Sequence, residues 1–189
     1  MVILMRPPKQ PEMHRLSKVL DGVFIVRVSE EDRRAVERMW SELFHVHATT
    51  RSDEWLLGSQ THLLSAIQTW VETLIQSPSH VGFIAKLAST HIGFVAVSFR
   101  EHPWLHAKRS GNIDAIWVEK EARRIGLGRR LVGSVMHEMR SRKVDLLNVH
   151  AIQSQPAAQP FWQSLGFFEF AVQMRFSQSP NISRSTQGD

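Results

Sequence analysis

The sequence predicts a mixed α/β domain, and three observations lead there. Apolar runs rich in β-formers alternate with stretches whose apolar positions recur at helical spacing. One such run, Ile113–Val118, feeds a basic, glycine-containing loop that opens another helical pattern. The chain of 189 residues is long enough for one domain with a full core and too short for two large ones. Apolar residues at 42 % and charged residues at 22 % exclude a wholly disordered chain.

Residues 1–21 mix Pro, Lys, Gln and Arg without periodicity and read as a flexible basic tail. The domain is expected over residues 22–176, and the Ser/Gln/Asn-rich residues 177–189 form a second, disordered tail. Val23–Val28 is a short strand. Ser29 followed three residues later by Asp32 reads as a capping box. It opens a helix with an apolar face of Ala35, Val36, Met39, Trp40, Leu43 and Phe44. A second helix uses Leu63, Leu64, Ile67, Trp70, Val71, Leu74 and Ile75 and stops before Pro78. Val81–Leu87 and Ile92–Phe99 form a hairpin through Ala88–His91.

A polar loop containing Pro103 and Gly111 leads to the strand Ile113–Val118. After Gly128, the positions Leu131, Val132, Val135, Met136 and Met139 make a helical face. Leu146–Ala151 is a strand. Ala158, Phe161, Trp162 and Leu165 make a short helix whose first turn is disturbed by Pro160. Gly166 breaks it, and one or two strands close the domain over Phe167–Phe176. The order is β-α-α-β-β-β-α-β-α-β, with about four helices against one sheet.

Composition narrows the function classes. There is no Cys, hence no disulfide framework, thiolate zinc site or cysteine nucleophile, and no Tyr to serve as a phenolic proton donor. The formal charge of +5 and the pI near 10.2 invite a nucleic-acid reading. Residues 1–20 hold +3 of that charge, through Arg6, Lys9, Arg15 and Lys18 against Glu12, so a nucleic-acid partner is not expected of the domain. The apolar start Val2–Met5 is too brief for a signal-peptide core, and the run Ile92–Phe99 is far below spanning length. A cytoplasmic protein with no membrane partner is expected. His45, His47, His102 and His106 lack the spacing of a ligand set, and no metal is expected.

The chemistry concentrates in the loop Glu119–Gly128. Backbone N–H groups at a helix start are unsatisfied, and the helix dipole favours an anion there. Gly126 and Gly128 permit close approach or positive φ, and Arg123, Arg124, Arg129 and Arg130 add charge at that end. This suits a pyrophosphate. The spacing matches neither the P-loop nor the G-x-G-x-x-G dinucleotide fingerprint.

Arg123-Arg124-Ile125-Gly126-Leu127-Gly128 resembles the acyl-CoA signature R/Q-x-x-G-x-G/A of the GNAT superfamily of N-acetyltransferases. One helix and one strand later, Gln155-Pro156-Ala157-Ala158-Gln159-Pro160-Phe161-Trp162-Gln163-Ser164-Leu165-Gly166-Phe167 resembles the family's N-x-x-A-x-x-(F)-Y-x-x-x-G-F. The resemblance implies a central mixed sheet splayed between the strands at Ile113–Val118 and Leu146–Ala151, with acetyl-CoA as co-substrate in the gap. It places the pantetheine along Trp117 and Val118, the pyrophosphate on Arg123, Arg124, Ile125, Gly126, Leu127, Gly128 and Arg129, and Gln155 and Trp162 nearby. Arg129 or Arg130 would reach the 3′-phosphate.

The implied reaction is direct acetyl transfer to a primary amine, so no nucleophilic Cys is needed. Asp114 is the candidate base, directly or through water. It stands where several aminoglycoside-type members carry a Glu, and simple alternation gives it the parity of Ile116 and Val118. His150 is the second candidate. Trp162 occupies the place of the family's usual Tyr acid, and an indole N–H does not release a proton near neutral pH.

Residues 29–77 net −4 and residues 119–145 net +4, which points to a small cationic amine as acceptor, such as an aminoglycoside or a polyamine. Two readings stand beside this one: acetylation of protein amines, and a non-catalytic acyl-CoA-binding or regulatory module, favoured by Trp162 and Gln155. A homodimer is compatible with all of them.

Overall fold

A computed structural model describes residues 20–50, 60–104, 106–151 and 158–171 of the chain. The expected C-terminal tail and nearly all of the N-terminal one lie outside these residues. Strand β1 (Val23–Arg27) is followed by a 3-10 turn at Glu30–Asp32 and by helices α1 (Arg33–Thr50) and α2 (Gln60–Gln76). Strands β2 (His80–Leu87), β3 (Thr90–Glu101) and β4 (Arg109–Val118) come next. A second 3-10 turn, Lys120–Ala122, precedes helix α3 (Leu127–Arg142), strand β5 (Leu146–Val149) and helix α4 (Ala158–Gln163).

The five strands form one sheet in the order β1-β2-β3-β4-β5. The first three pairings are antiparallel and β4–β5 is parallel, so the sheet is mixed. Helix α3 supplies the crossover that a parallel pair requires. The two faces bury separate cores. On one, Val36, Met39 and Trp40 of α1 and Ile67, Val71 and Leu74 of α2 close over Ile84, Phe94, Ala96 and Ala115. On the other, Leu127, Leu131, Val132 and Val135 of α3, with Trp162 of α4, cover Val81, Val95, Val97 and Ile113. The periodicities read from the sequence match these buried faces apart from Leu64, which is exposed.

Local signals hold up in detail. The Asp32 carboxylate accepts from the Ser29 amide and hydroxyl, both at 3.1 Å, and fixes the entry to α1. The β2–β3 connection tightens to Ala88–Ser89, with Leu87 opposite Thr90 and Ala88 at φ 52°. Pro160 is the third residue of α4, within the first turn, where no intrahelical N–H bond exists to be lost.

Two expectations are corrected. Gly111 belongs to β4 rather than to the preceding loop, because Ser110–Ile113 finds partners on both sides, in β3 and in the incoming β5. A Cβ at Gly111 would meet Leu147 Cδ1 at 3.0 Å and the Phe99 ring at 3.1 Å, so this strand position suits glycine. The expected strand over Phe167–Phe176 is irregular through residue 171, and residues 172–176 lie outside the described ones. Phe167 anchors on the Trp162 ring at 5.1 Å, while Phe168 and Phe170 are exposed.

Candidate active site

The β4–β5 ladder runs from Ser110 opposite Leu146 to Ile113 opposite Val149 and ends there. Strand β4 continues to Val118 with β3 as its partner, so among the described residues one edge of Asp114–Val118 is open. This is the expected splay. Asp114 is the first residue past the fork.

Asp114 is also a bulge. Val97 pairs with Ile113 and Ala96 with Ala115, so two successive residues of β3 span three of β4 and Asp114 has no partner of its own. The extra residue shifts the side-chain alternation. Ile113, Ile116 and Val118 pack on the α3 side, while Ala115 and Trp117 pack on the α1/α2 side. Asp114 therefore does not share the face of Ile116 and Val118, as unbroken alternation predicted. It faces the α1/α2 side with Asn112.

On that side lies a cavity of about 280 Å³. Trp40 and Phe44 of α1 and Leu63, Ala66, Ile67 and Trp70 of α2 make its apolar wall. Asn112 and Asp114 of β4 and His150, directly after β5, make its polar end. The two candidate catalytic residues thus share one cavity. Trp40 and Trp70 pack with ring centroids 5.0 Å apart. Trp104 is exposed, and Trp55 lies outside the described residues.

The Asp114 carboxylate is held asymmetrically. Oδ1 accepts from Asn112 Nδ2 at 2.7 Å and from Ser98 Oγ at 3.0 Å. Oδ2 is buried and has no hydrogen-bond partner among the described residues. Burial raises the pKa above the ordinary carboxylate value, against the opposing bonds from Asn112 and Ser98 and the fields of His80 and Arg100. Ser98 was not singled out in the sequence, although a lone serine in the apolar run Ile92–Phe99 was its signal.

The loop after β4 is pinned at its start. Arg123 donates from Nε to the Val118 carbonyl at 2.8 Å, and its guanidinium lies 4.8 Å from the Trp117 ring centroid. Trp117 Nε1 donates to Glu119 Oε2 at 3.3 Å, and Arg38 of α1 reaches Glu119 Oε1 at 2.6 Å. Arg124 takes a left-handed conformation at φ 67° and Gly126 at φ 92°. The first helical bond runs from the Arg130 amide to the Gly126 carbonyl at 3.2 Å, so the Leu127, Gly128 and Arg129 amides begin α3 without intrahelical acceptors.

The two glycines of the loop differ in role. Gly126 serves its positive φ, whereas Gly128 makes room for Phe161, whose Cζ would stand 3.2 Å from a Cβ there. Gly126→Ala is expected to cost about 1–2 kcal/mol, the penalty for a side chain in left-handed backbone. Gly133→Ala, an exposed α3 position whose Cβ meets nothing within 4 Å, is expected to stabilise by about 0.5–1 kcal/mol. Urea denaturation of both variants checks the contrast, and equal effects would contradict it.

Three basic or aromatic candidates are engaged elsewhere. Arg129 donates to the Ser164 carbonyl and hydroxyl, both at 3.2 Å, tying α3 to the end of α4. Arg130 clamps the start of β1 through the carbonyls of Leu20 at 2.6 Å and Val23 at 3.0 Å. The expected reach toward a 3′-phosphate falls to Arg129 or Arg130, and both guanidinium groups hold carbonyls of the chain. Trp162 is a core residue, packed between Phe161 and Phe167. Gln155 lies outside the described residues. Among the described residues no group of three or more His, Asp or Glu side chains could hold a metal ion, and no helix is long and apolar enough to cross a membrane.

Known proteins share this architecture. The model of the acetyltransferase (GNAT) family matches residues 40–167. No curated protein sequence matches the chain. Among solved structures, a tetramutant of the BH1408 protein from Bacillus halodurans superposes with a TM-score of 0.71 at 16 % identity, covering 82 % of this chain and 99 % of that one. A GCN5-related N-acetyltransferase from Ralstonia eutropha JMP134 gives 0.69 at 16 % identity, over 84 % and 100 %. Aminoglycoside N-acetyltransferase AAC(6')-Iy in complex with CoA gives 0.66 at 16 % identity, over 82 % and 94 %. These likenesses are of fold. The family match runs from Trp40 in the cavity wall, through the fork and the glycine loop, to Phe167, and by it the chain belongs to the GNAT family of acetyltransferases.

Proposed function

We propose that the protein transfers an acetyl group from acetyl-CoA directly to a primary amine on a small molecule. The observation that carries this reading is Asp114, a bulged residue at the fork of β4 and β5 whose buried Oδ2 has no partner among the described residues and whose side chain lines the cavity. The chain's own groups fit the co-substrate. The open edge of β4 at Trp117 and Val118, where Arg123 holds the Val118 carbonyl, gives an extended amide-bearing arm a strand to lie along. The start of α3, preceded by the exposed Arg124, offers unsatisfied amides and positive charge to a pyrophosphate. Acetyl-CoA supplies an acyl group already activated as a thioester.

In this reading the cavity orients the amine toward the fork, so that attack becomes effectively intramolecular. Asn112 and Ser98 occupy Oδ1 of Asp114, leaving Oδ2 to take the proton of the incoming ammonium. His150, exposed at the same polar end, is the alternative base. No Tyr is present and Trp162 is in the core, so the departing thiolate takes its proton from water.

Thiol release from acetyl-CoA across a panel of primary amines tests the proposal. Turnover with at least one amine, giving the N-acetyl product by mass, is the expected result. Tight acetyl-CoA binding with no release on any amine would instead support the acyl-CoA-binding module.

A further inference from the structure

We infer that the cavity selects a primary amine with a single cationic head and an apolar body of arylalkyl size, over polyamines and aminosugars. This deepens the proposed reaction and rests on it for turnover. Polarity is divided across the cavity. Asn112, Asp114 and His150 lie together at the β4/β5 end, beside the fork, and the facing wall is built from Trp40, Leu63 and Trp70 among other apolar groups. A ligand that satisfies both ends places its ammonium at Asp114 and its body between the helices.

Among the described residues, Asp114 is the one carboxylate in the lining. Among the described residues, the acidic excess of residues 29–77 supplies no other there. Asp32 is held by Lys86 and His91, and Glu30 and Glu72 by Arg33. A second ammonium would have to shed its water against indole and aliphatic carbon with no counter-charge among the described residues. Sugar hydroxyls meet the same wall, with polar partners at one end only.

The test uses the full chain and three probes: 2-phenylethylamine, spermidine and kanamycin. Binding without acetyl-CoA is followed by tryptophan fluorescence, since Trp40 and Trp70 line the cavity, and acetylation is measured separately. 2-Phenylethylamine is expected to bind about tenfold more tightly than either polycation, with a matching order in kcat/KM. Leu63→Asp, which puts a second carboxylate on the apolar wall, is expected to narrow the gap to spermidine about tenfold. Should that variant fail to fold, the comparison on the unmodified protein still decides.

Equal or tighter binding of spermidine or kanamycin overturns the inference. Selective arylalkylamine binding without turnover of any amine upholds it and overturns the proposed reaction. Turnover of a polycation with no arylalkylamine binding does the reverse.

Discussion

Replacing Asp32 with Ala is expected to lower the free energy of unfolding by about 3 kcal/mol at pH 7. The side chain is 1 % exposed and takes four hydrogen bonds or ion pairs. Ser29 donates its amide and hydroxyl, Lys86 Nζ lies at 2.6 Å from Oδ1, and His91 Nε2 at 3.1 Å. The cluster joins the entry of α1 to β2 and β3. Breaking a buried pair costs about 3–5 kcal/mol, and the lower end applies because Lys86, 27 % exposed, keeps access to water.

Burial opposes ionisation of Asp32, but the bonds from Lys86 and Ser29 outweigh it and hold the pKa below the ordinary carboxylate value. A folded-state pKa below the unfolded one gives stability that is complete above the unfolded value of 3.8 and is lost as pH falls through the folded one. The gap between wild type and Asp32→Ala is therefore largest near neutrality and shrinks in acid. Urea titrations at pH 7 and at about pH 3 measure it. An equal loss at both would mean that Asp32 acts by packing and not by charge.

The fold was legible because its faces are periodic. Met39, Val71, Leu131 and Val135 fall on the apolar sides that the spacing assigned, and all are fully buried. The Gly126 turn and the Ser29–Asp32 cap were readable because each is a local conformational demand. The facing of Asp114 was not readable from alternation, since a bulge is fixed by how two distant strands count against each other. One clue was present: Ile113 and Ile116 are three residues apart, and strict alternation cannot put both on one face. Both pack on the α3 side.

Segment charge is not the charge of the cavity lining, for a related reason. Segment sums locate charges in sequence, while the cavity is lined according to which turn of a helix faces the sheet. Glu30 and Glu72 meet at Arg33, away from the cavity lining, and apolar Trp40, Leu63 and Trp70 are the residues presented to it. Arg129 and Arg130 carried the same ambiguity at the start of α3. Their neighbours Ser164, Leu20 and Val23, all distant in sequence, decide where they bind.

Asp114→Asn is expected to reduce kcat/KM about 10²–10⁴-fold, the usual contribution of a positioned proton acceptor. The substitution is close to isosteric. An amide oxygen retains the bonds from Asn112 and Ser98, while an NH₂ group replaces the unpartnered Oδ2. Acetyl-CoA affinity is expected to stay within about twofold, because the open β4 edge and the α3 start are untouched.

Stability is expected to move the other way. The folded-state pKa of Asp114 is raised, so the folded protein holds this proton more tightly than the unfolded chain does. Wild type consequently loses stability as pH climbs from the unfolded value of 3.8 through the folded one, a loss the Asn variant does not share. At pH 7 the variant is expected to gain up to about 1 kcal/mol, with the gain vanishing in acid. In the wild type, the acid limb of kcat/KM is expected to follow ionisation of this carboxyl, whose pKa burial raises, and to disappear in the variant. Melting temperatures and pH–rate profiles of Asp114→Asn and His150→Ala check the assignment together. If His150→Ala loses the larger share of activity and removes the acid limb while Asp114→Asn keeps it, the base is His150. The unpartnered Oδ2 is then a binding contact for the ammonium alone.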